Sequence, residues 1–362
     1  MLARIFVSKI KKMKKLLSIC VFFFVGVYVP SLHAQEEPHL KNIKQLTFAA
    51  DNAEAYWSPD NKFLTFQSNN KNWGVSCDQI FKLDIKNALR DTAYHPSMIS
   101  TNKGRTTCSY VMPDKKHILY ASTQKSGDSC PIATKTDGSK YVWPVFKDYD
   151  IYVADLKGNI TQQLTDSPGY DAEATISPDG KKIVFTSTRG GDLDLWIMDI
   201  DGKNPRQITH ELGYDGGAFF SPDSKKLVFR SSRPTTEAEI KEYKDLLAQD
   251  LVAPVNMEIY TVNVDGSDLK QITHLGKANW APFYTPNGKK IIFSSNHHSK
   301  RGYDFQLYLI NTDGTGLERI TNESYFNAFP MFSPDGKKLA WSSNRHNWGT
   351  HDTNVFLADW KD

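Results

Sequence analysis

Short apolar runs alternate with polar turn signals along most of the chain, and the stretch Tyr170–Thr209 shows the pattern most clearly. Ala174 to Ser187 reads as a hairpin: Pro178 presets φ, Asp179 bonds local backbone, and Gly180 supplies a left-handed residue. A two-residue Asp201-Gly202 turn joins the Leu195–Asp199 run to Gln207-Ile208-Thr209. A polar loop, Thr188 to Leu193, separates the two hairpins. Four short strands are therefore expected within this one stretch.

The pattern repeats. Ser/Met/Thr-Pro-Asp/Asn turns lie at Pro59, Pro113, Pro178, Pro222, Pro286 and Pro334. Each is followed by an apolar strand ending in an aromatic: Phe66, Tyr120, Phe185, Phe229, Phe293 and Trp341. A second signature follows each time, an aliphatic-aromatic pair with Asp or Asn three residues later, as in Leu195-Trp196…Asp199 and Leu307-Tyr308…Asn311. Self-similarity at this period indicates a solenoid or propeller. Four antiparallel strands per unit select an all-β six-bladed β-propeller, whose ring protects strand edges. Ile43-Lys44-Gln45-Leu46-Thr47 matches the strand that ends later repeats, such as Gln163-Leu164-Thr165 and Gln271-Ile272-Thr273. No blade precedes it, and the last repeat stops at its third strand, Asn354 to Asp359. The N-terminal strand is expected to complete the last blade and close the ring.

The Ser-Pro-Asp-Gly-Lys-Lys-Ile turn, the aliphatic-aromatic strand and the Gln-Ile/Leu-Thr strand resemble the TolB-type, WD40-like propeller repeat over about residues 41–362. The resemblance implies the fold and a periplasmic or secreted location; fold alone does not imply function. Propellers of this kind also occur in prolyl-oligopeptidase relatives beside an α/β-hydrolase domain. No Gly-x-Ser-x-Gly occurs here, so that activity is not expected.

Composition and charge narrow the class. Charged residues make up 23% and the net charge is +3, too little basic excess for a nucleic-acid partner. Lys9, Lys11, Lys12, Lys14 and Lys15 precede an apolar run, Leu16 to Val29, that is shorter than the ~20 residues of a membrane helix. Residues 1–34 read as a signal peptide with a cut after Ala34, leaving residues 35–362 as a propeller with no stable membrane span; an uncleaved anchor is the alternative. The mature chain is expected to be a monomer.

Strand alternation places loops between second and third strands on the same face as the segments entering each next blade. The Ser-Pro-Asp turns lie on the opposite face. Two long insertions, Gln124 to Tyr149 and Pro234 to Asn256, fall on the blade-entry face, and a third, Ile85 to Ser100, enlarges an outer turn. Thr236 with Glu239 forms a capping box, and Ile240, Tyr243, Leu246, Leu247 and Leu251 give an apolar helix face, read as packing on the ring or as a docking lid.

Candidate binding residues follow from the repeat. The seventh residue before each turn proline is short and polar: Asn52, Thr106, Asp171, Asp215, Asn279 and Asn327. These are expected at the mouth of the central channel, with Glu54 and Glu173 two residues further on. The other reading is that they cap local backbone. Tyr170, Tyr214, Trp280 and Phe326 lie on blade-entry segments and can line a peptide or glycan groove. His297, His298, His346 and His351 lie in corresponding loops of neighbouring blades and could hold a divalent metal ion. Oligogalacturonate lyases resemble propellers of this repeat type with a histidine-rich metal site. No other cofactor is expected. Cys77, Cys108 and Cys130 remain after cleavage, so one disulfide and one free thiol are expected. Cys108–Cys130 is the preferred pair, because the long loop around Cys130 can reach inward. These residues point to a non-catalytic scaffold for an envelope protein or peptide. A metal-dependent polysaccharide lyase or hydrolase and a glycan-binding module are the alternatives at the same face.

Overall fold

A computed structural model describes residues 36–362 apart from 137, 139 and 140. The signal peptide expected over 1–34 lies outside the described residues. Six four-stranded antiparallel sheets form the blades of a propeller. The third blade shows the plan. Its inner strand Asp171–Ile176 pairs with Lys182–Ser187, which pairs with Asp194–Asp199, which pairs with the short outer strand Arg206–Gln207. Each inner strand neighbours the inner strands of the blades on either side, which closes the ring.

The turn chemistry is the one the sequence predicts. Ser177 Oγ donates to Asp179 Oδ1 at 2.6 Å and accepts from the Lys182 amide at 2.9 Å, while Gly180 takes φ +72°. The two aromatic signatures meet directly across the second and third strands. Phe66 opposes Phe81, Phe185 opposes Trp196, Phe293 opposes Tyr308, and Trp341 opposes Phe356. The second-strand member is fully buried in all six blades. Such cross-strand aromatic pairs stabilise a sheet beyond their burial and fix its register.

The Gln-x-Thr strand also has a local reason. Thr209 Oγ1 accepts from the Leu195 amide at 2.9 Å and donates to Asp194 Oδ1 at 3.2 Å, so it pins the start of the third strand. Thr165 and Thr273 repeat this on Asp150 and Glu258. Thr47 does the same for the last blade, accepting from the Val355 amide at 2.9 Å and donating to Asn354 Oδ1 at 3.1 Å. The strand Leu40–Gln45 pairs antiparallel with Asn354–Trp360, so the first strand of the propeller is the last blade's outer strand. Arg345, fully buried, holds Glu37 in a two-point ion pair (2.6 and 2.8 Å) beside that seam.

The insertions depart from the plan in a concerted way. The outer turn of the first blade holds a short helix, Ile85–Arg90. Pro234 to Asn256 contains a helix, Glu237–Leu247, with the reciprocal Thr236–Glu239 capping box. Its buried residue is Tyr243, whose hydroxyl bonds Asp192. The two long insertions meet: Leu251–Val252 pairs antiparallel with Trp143–Pro144, joining blades two and four as a strap on the blade-entry face. The disulfide is Cys77–Cys130 (Cα–Cα 5.9 Å), and it ties the strap-bearing loop to the first blade. This corrects the expected Cys108–Cys130 pair. Cys108 is a free thiol on an inner strand, its sulfur 3.0 Å from Glu54 Oε2, while Cys130 is held by Cys77. No helix among the described residues is long and apolar enough to cross a membrane.

Candidate functional site

Every inner strand carries a register shift at the same place. At each shift one residue takes positive φ, between 48° and 60°: Glu54, Cys108, Glu173, Gly217, Ala281 and Phe329. These are the fifth residues before the turn prolines. A bulge turns its extra residue away from the pleat, and all six line a cavity of about 530 Å³ in the central channel. Tyr56, Phe219 and Met331 extend its wall, and Trp143 of the strap covers one side.

The chemistry is concentrated in two clusters. Glu173 accepts from the Thr186 hydroxyl at 2.8 Å, the Tyr214 hydroxyl at 2.9 Å and the Gly217 amide at 2.9 Å, and it pairs with Arg230. The Arg230 guanidinium is also bonded to the Tyr214 hydroxyl and lies over the rings of Trp143 and Tyr214, 5.3 and 5.1 Å from their centroids. Two glycines make this possible. A Cβ on Gly217 would lie 2.2 Å from Arg230 Nη1, and one on Gly216 would lie 2.4 Å from Glu173 Oε2. The second cluster is Glu54, whose Oε2 accepts from the Tyr56 hydroxyl at 3.0 Å and the Cys108 thiol at 3.0 Å. Burial holds the Glu54 carboxyl above its usual range, and burial together with the Glu54 charge pushes the Cys108 thiol well up, so that thiol is a poor nucleophile.

The residues expected at the channel mouth divide. Glu54, Thr106, Glu173, Tyr214 and Trp280 line the cavity. Tyr170 and Phe326 line it too. Asn52, Asp171, Asp215, Asn279 and Asn327 are at most 1% exposed and bind protein atoms. Asn52 donates to Asn354 Oδ1 at 3.1 Å, Asn279 to Glu258 Oε2 at 3.0 Å, and Asn327 to Gln306 Oε1 at 2.9 Å, each reaching the preceding blade's third strand. Asp171 pairs with Arg189 at 2.6 Å, and Asp215 meets Arg233 through both oxygens at 2.7 and 2.9 Å. Burial raises both carboxyls while the arginines oppose the shift.

The four histidines are not brought together. His297 Nδ1 is 2.8 Å from Ser295 Oγ, in the position that Arg189 and Arg233 occupy relative to Ser187 and Ser231. His298 bonds the Tyr308 hydroxyl at 2.9 Å and lies 3.3 Å from Asp304. His346 is 3.8 Å from Glu323, and His351 is exposed. No group of three or more potential ligands gathers among the described residues. Arg230, Phe329, Tyr56 and Trp143 are not among the residues expected at the site, and Cys108 stood out only as a disulfide candidate. Counting five rather than seven residues back from each turn proline finds Cys108 and Phe329. The doublet Gly216-Gly217 on an inner strand was the available hint to Arg230.

Solved structures share the fold. A gluconolactonase from Xanthomonas campestris aligns with a TM-score of 0.57 at 12% identity, covering 89% of this chain and 91% of its own. A provisionally assigned TolB from Agrobacterium tumefaciens aligns with 0.55 at 21% identity, over 88% and 97%. TolB from Acinetobacter baumannii aligns with 0.51 at 19% identity, over 87% of this chain and 65% of that one. The family model described as TolB beta propeller domain matches residues 136–236 and 245–357, more than half of the sequence. With the turn, the paired aromatics and the Gln-x-Thr clamp each accounted for in the blades, the chain belongs to the TolB beta propeller domain family.

Proposed function

We propose that the protein is an exported, non-catalytic scaffold that docks an envelope protein or peptide on its blade-entry face. One observation carries this reading. Among the described residues ten large hydrophobic side chains are exposed, and seven lie on that face: Phe48, Ile132, Tyr141, Val255, Tyr303, Tyr325 and Trp348. Trp348 is 92% exposed and Ile132 89%. Tyr and Trp are the residues that anchor protein interfaces. The opposite face presents repeated Ser-Pro-Asp turns whose polar groups are bonded to one another. The basic and apolar N-terminal stretch supports export. The scattered histidines give the metal-dependent alternative no geometric support.

The test compares a Trp348→Ala/Tyr325→Ala double variant with the unchanged chain. Both are used in cross-linking and capture from envelope extract, with melting measured on the same samples. The double variant should lose at least tenfold in capture of a defined partner with its melting unchanged. Equal capture by both proteins would place the docking surface elsewhere.

A further inference from the structure

We propose that the channel cavity receives an organic ammonium group, a lysine side chain or an N-terminal amine, presented by the docking polypeptide. The inference rests on the entry-face reading above and deepens it. Five observations lead to it.

The first is charge. Among the charged groups lining the cavity, Arg230 pairs with Glu173 and Arg105 lies 3.5 Å from Asp78. Glu54 and the rim residue Asp51 make no close ion pair among the described residues, and Arg230 reaches Glu54 only at longer range. The cavity therefore holds surplus negative charge.

The second is hydrogen bonding. Both donors to Glu54, Tyr56 and Cys108, fall on Oε2. Oε1 receives no hydrogen bond among the described residues, and it is not among the sealed polar atoms. A half-buried carboxylate oxygen open to a cavity is a site for a donor.

The third is the wall. Phe329, from the neighbouring blade, is half-buried at the cavity surface, and Tyr56 and Phe219 stack with centroids 6.2 Å apart. Aromatic faces around a carboxylate suit an organic cation through ring quadrupole and charge together.

The fourth is that Arg230, the arginine of the acidic cluster, is already occupied. Arg230 is engaged by Glu173 and Tyr214, and the rings of Trp143 and Tyr214 lie against its guanidinium, 5.3 and 5.1 Å away.

The fifth is size. At about 530 Å³ the cavity falls in the ordinary range for small-molecule pockets and admits an extended four- or five-carbon arm.

The site carries its own reporter, since Trp143 and Trp280 line the cavity and stack at 5.0 Å. The whole mature chain is titrated with n-pentylammonium, following tryptophan fluorescence and heat. n-Pentanol is the neutral comparison, and Glu54→Gln is the variant, with its melting measured in parallel. Saturable pentylammonium binding, at least tenfold weaker binding of pentanol, and at least a tenfold loss in Glu54→Gln are expected. Two short peptides then separate the sources: one has lysine and a blocked N-terminus, the other a free N-terminus and no lysine. The peptide that competes with pentylammonium identifies the group presented. Equal binding of pentanol and pentylammonium by the unchanged chain overturns the proposal even if Glu54→Gln misfolds, and so does full retention of binding in a folded Glu54→Gln. The Trp348→Ala/Tyr325→Ala variant should bind pentylammonium unchanged, so failure of the docking surface and failure of the cavity are read separately.

Discussion

Asn52, Thr106, Asp171, Asp215, Asn279 and Asn327 form one ring on the six inner strands; Glu54, Cys108, Glu173, Gly217, Ala281 and Phe329 form another, two residues further along. In an unbroken strand residues two apart share a face. Here they do not, because each second-ring residue is itself the left-handed residue of a bulge, which turns it into the channel. Five members of the first ring are spent on the seams, where they bond the third strand of the preceding blade or a half-buried arginine, and the sixth, Thr106, lines the cavity. The second is chemically varied, with two acids, a thiol, a phenyl ring and two positions without a functional group. Repetition marks the ring that holds the blades together, and departure from repetition marks the ring that faces the channel.

The largest effect should come from opening a seam entirely. Deleting residues 40–48 removes the last blade's outer strand, the buried Leu40 and Leu46, and the Thr47 clamp on Asn354. Losing that burial amounts to several kcal/mol, so melting should fall by ~10 °C or more, with aggregation at the bared edge. Scanning calorimetry decides, and a melting point within a degree or two of the intact mature chain would refute ring closure by this strand.

A smaller effect separates the two rings directly. Asp215→Ala leaves Arg233 without its two-point partner in the seam. Breaking such a pair destabilises by about 3 kcal/mol, which lowers melting by about 4–5 °C in a chain of this length. Glu54→Gln, on the channel ring, should shift melting by about 2 °C or less. If the two variants melt alike, the division into seam and channel residues is wrong.

The smallest effect is a pH dependence within a seam. Asp194 is buried beside Asp215 and Asp192, and burial first, then those two charges, push its carboxyl up to about 7. An unfolded aspartate titrates near 3.9. Between these values the folded chain holds the proton more tightly. Its contribution is therefore complete below the unfolded value and is lost as pH rises through about 7. Asp194→Asn removes that loss, and the last blade already uses Asn354 in the same position. Between pH 5 and pH 8 the unchanged protein should lose about 2–4 °C more than the variant. Identical pH dependence of melting would show that Asp194 ionises freely in the fold.

Much of the fold could be read locally. A proline turn with Asp and Gly, an aromatic ending one strand and an aromatic on the next each act within one hairpin, so they are visible as spacing. Ring closure was legible for the same reason, since Gln45-Leu46-Thr47 repeats a pattern whose partner was missing elsewhere. The site was legible only in part. Glu54, Glu173, Tyr214 and Trp280 stood out by residue type, but strand alternation grouped Glu54 with Asn52 and Glu173 with Asp171. No local signal announced the bulge, because its positive-φ residue is Gly in only one blade of six. The cysteine pairing went the same way: Cys77 and Cys108 both map near the same loop face of blades one and two, and only the tertiary structure shows which of them meets Cys130.

The sequence by itself determined the repeat, the number of blades, the strand that closes them and the face that carries the insertions. These depend on contacts within a blade or on loop length, and such contacts are written at fixed short spacings. The tertiary structure alone decided which polar ring meets the channel, that Arg230 enters through the space left by Gly216 and Gly217, and that insertions from blades two and four join as a strap. Each of these depends on side chains far apart in sequence competing for one volume near the ring axis. That competition is settled by packing and charge pairing rather than by any property of a single strand.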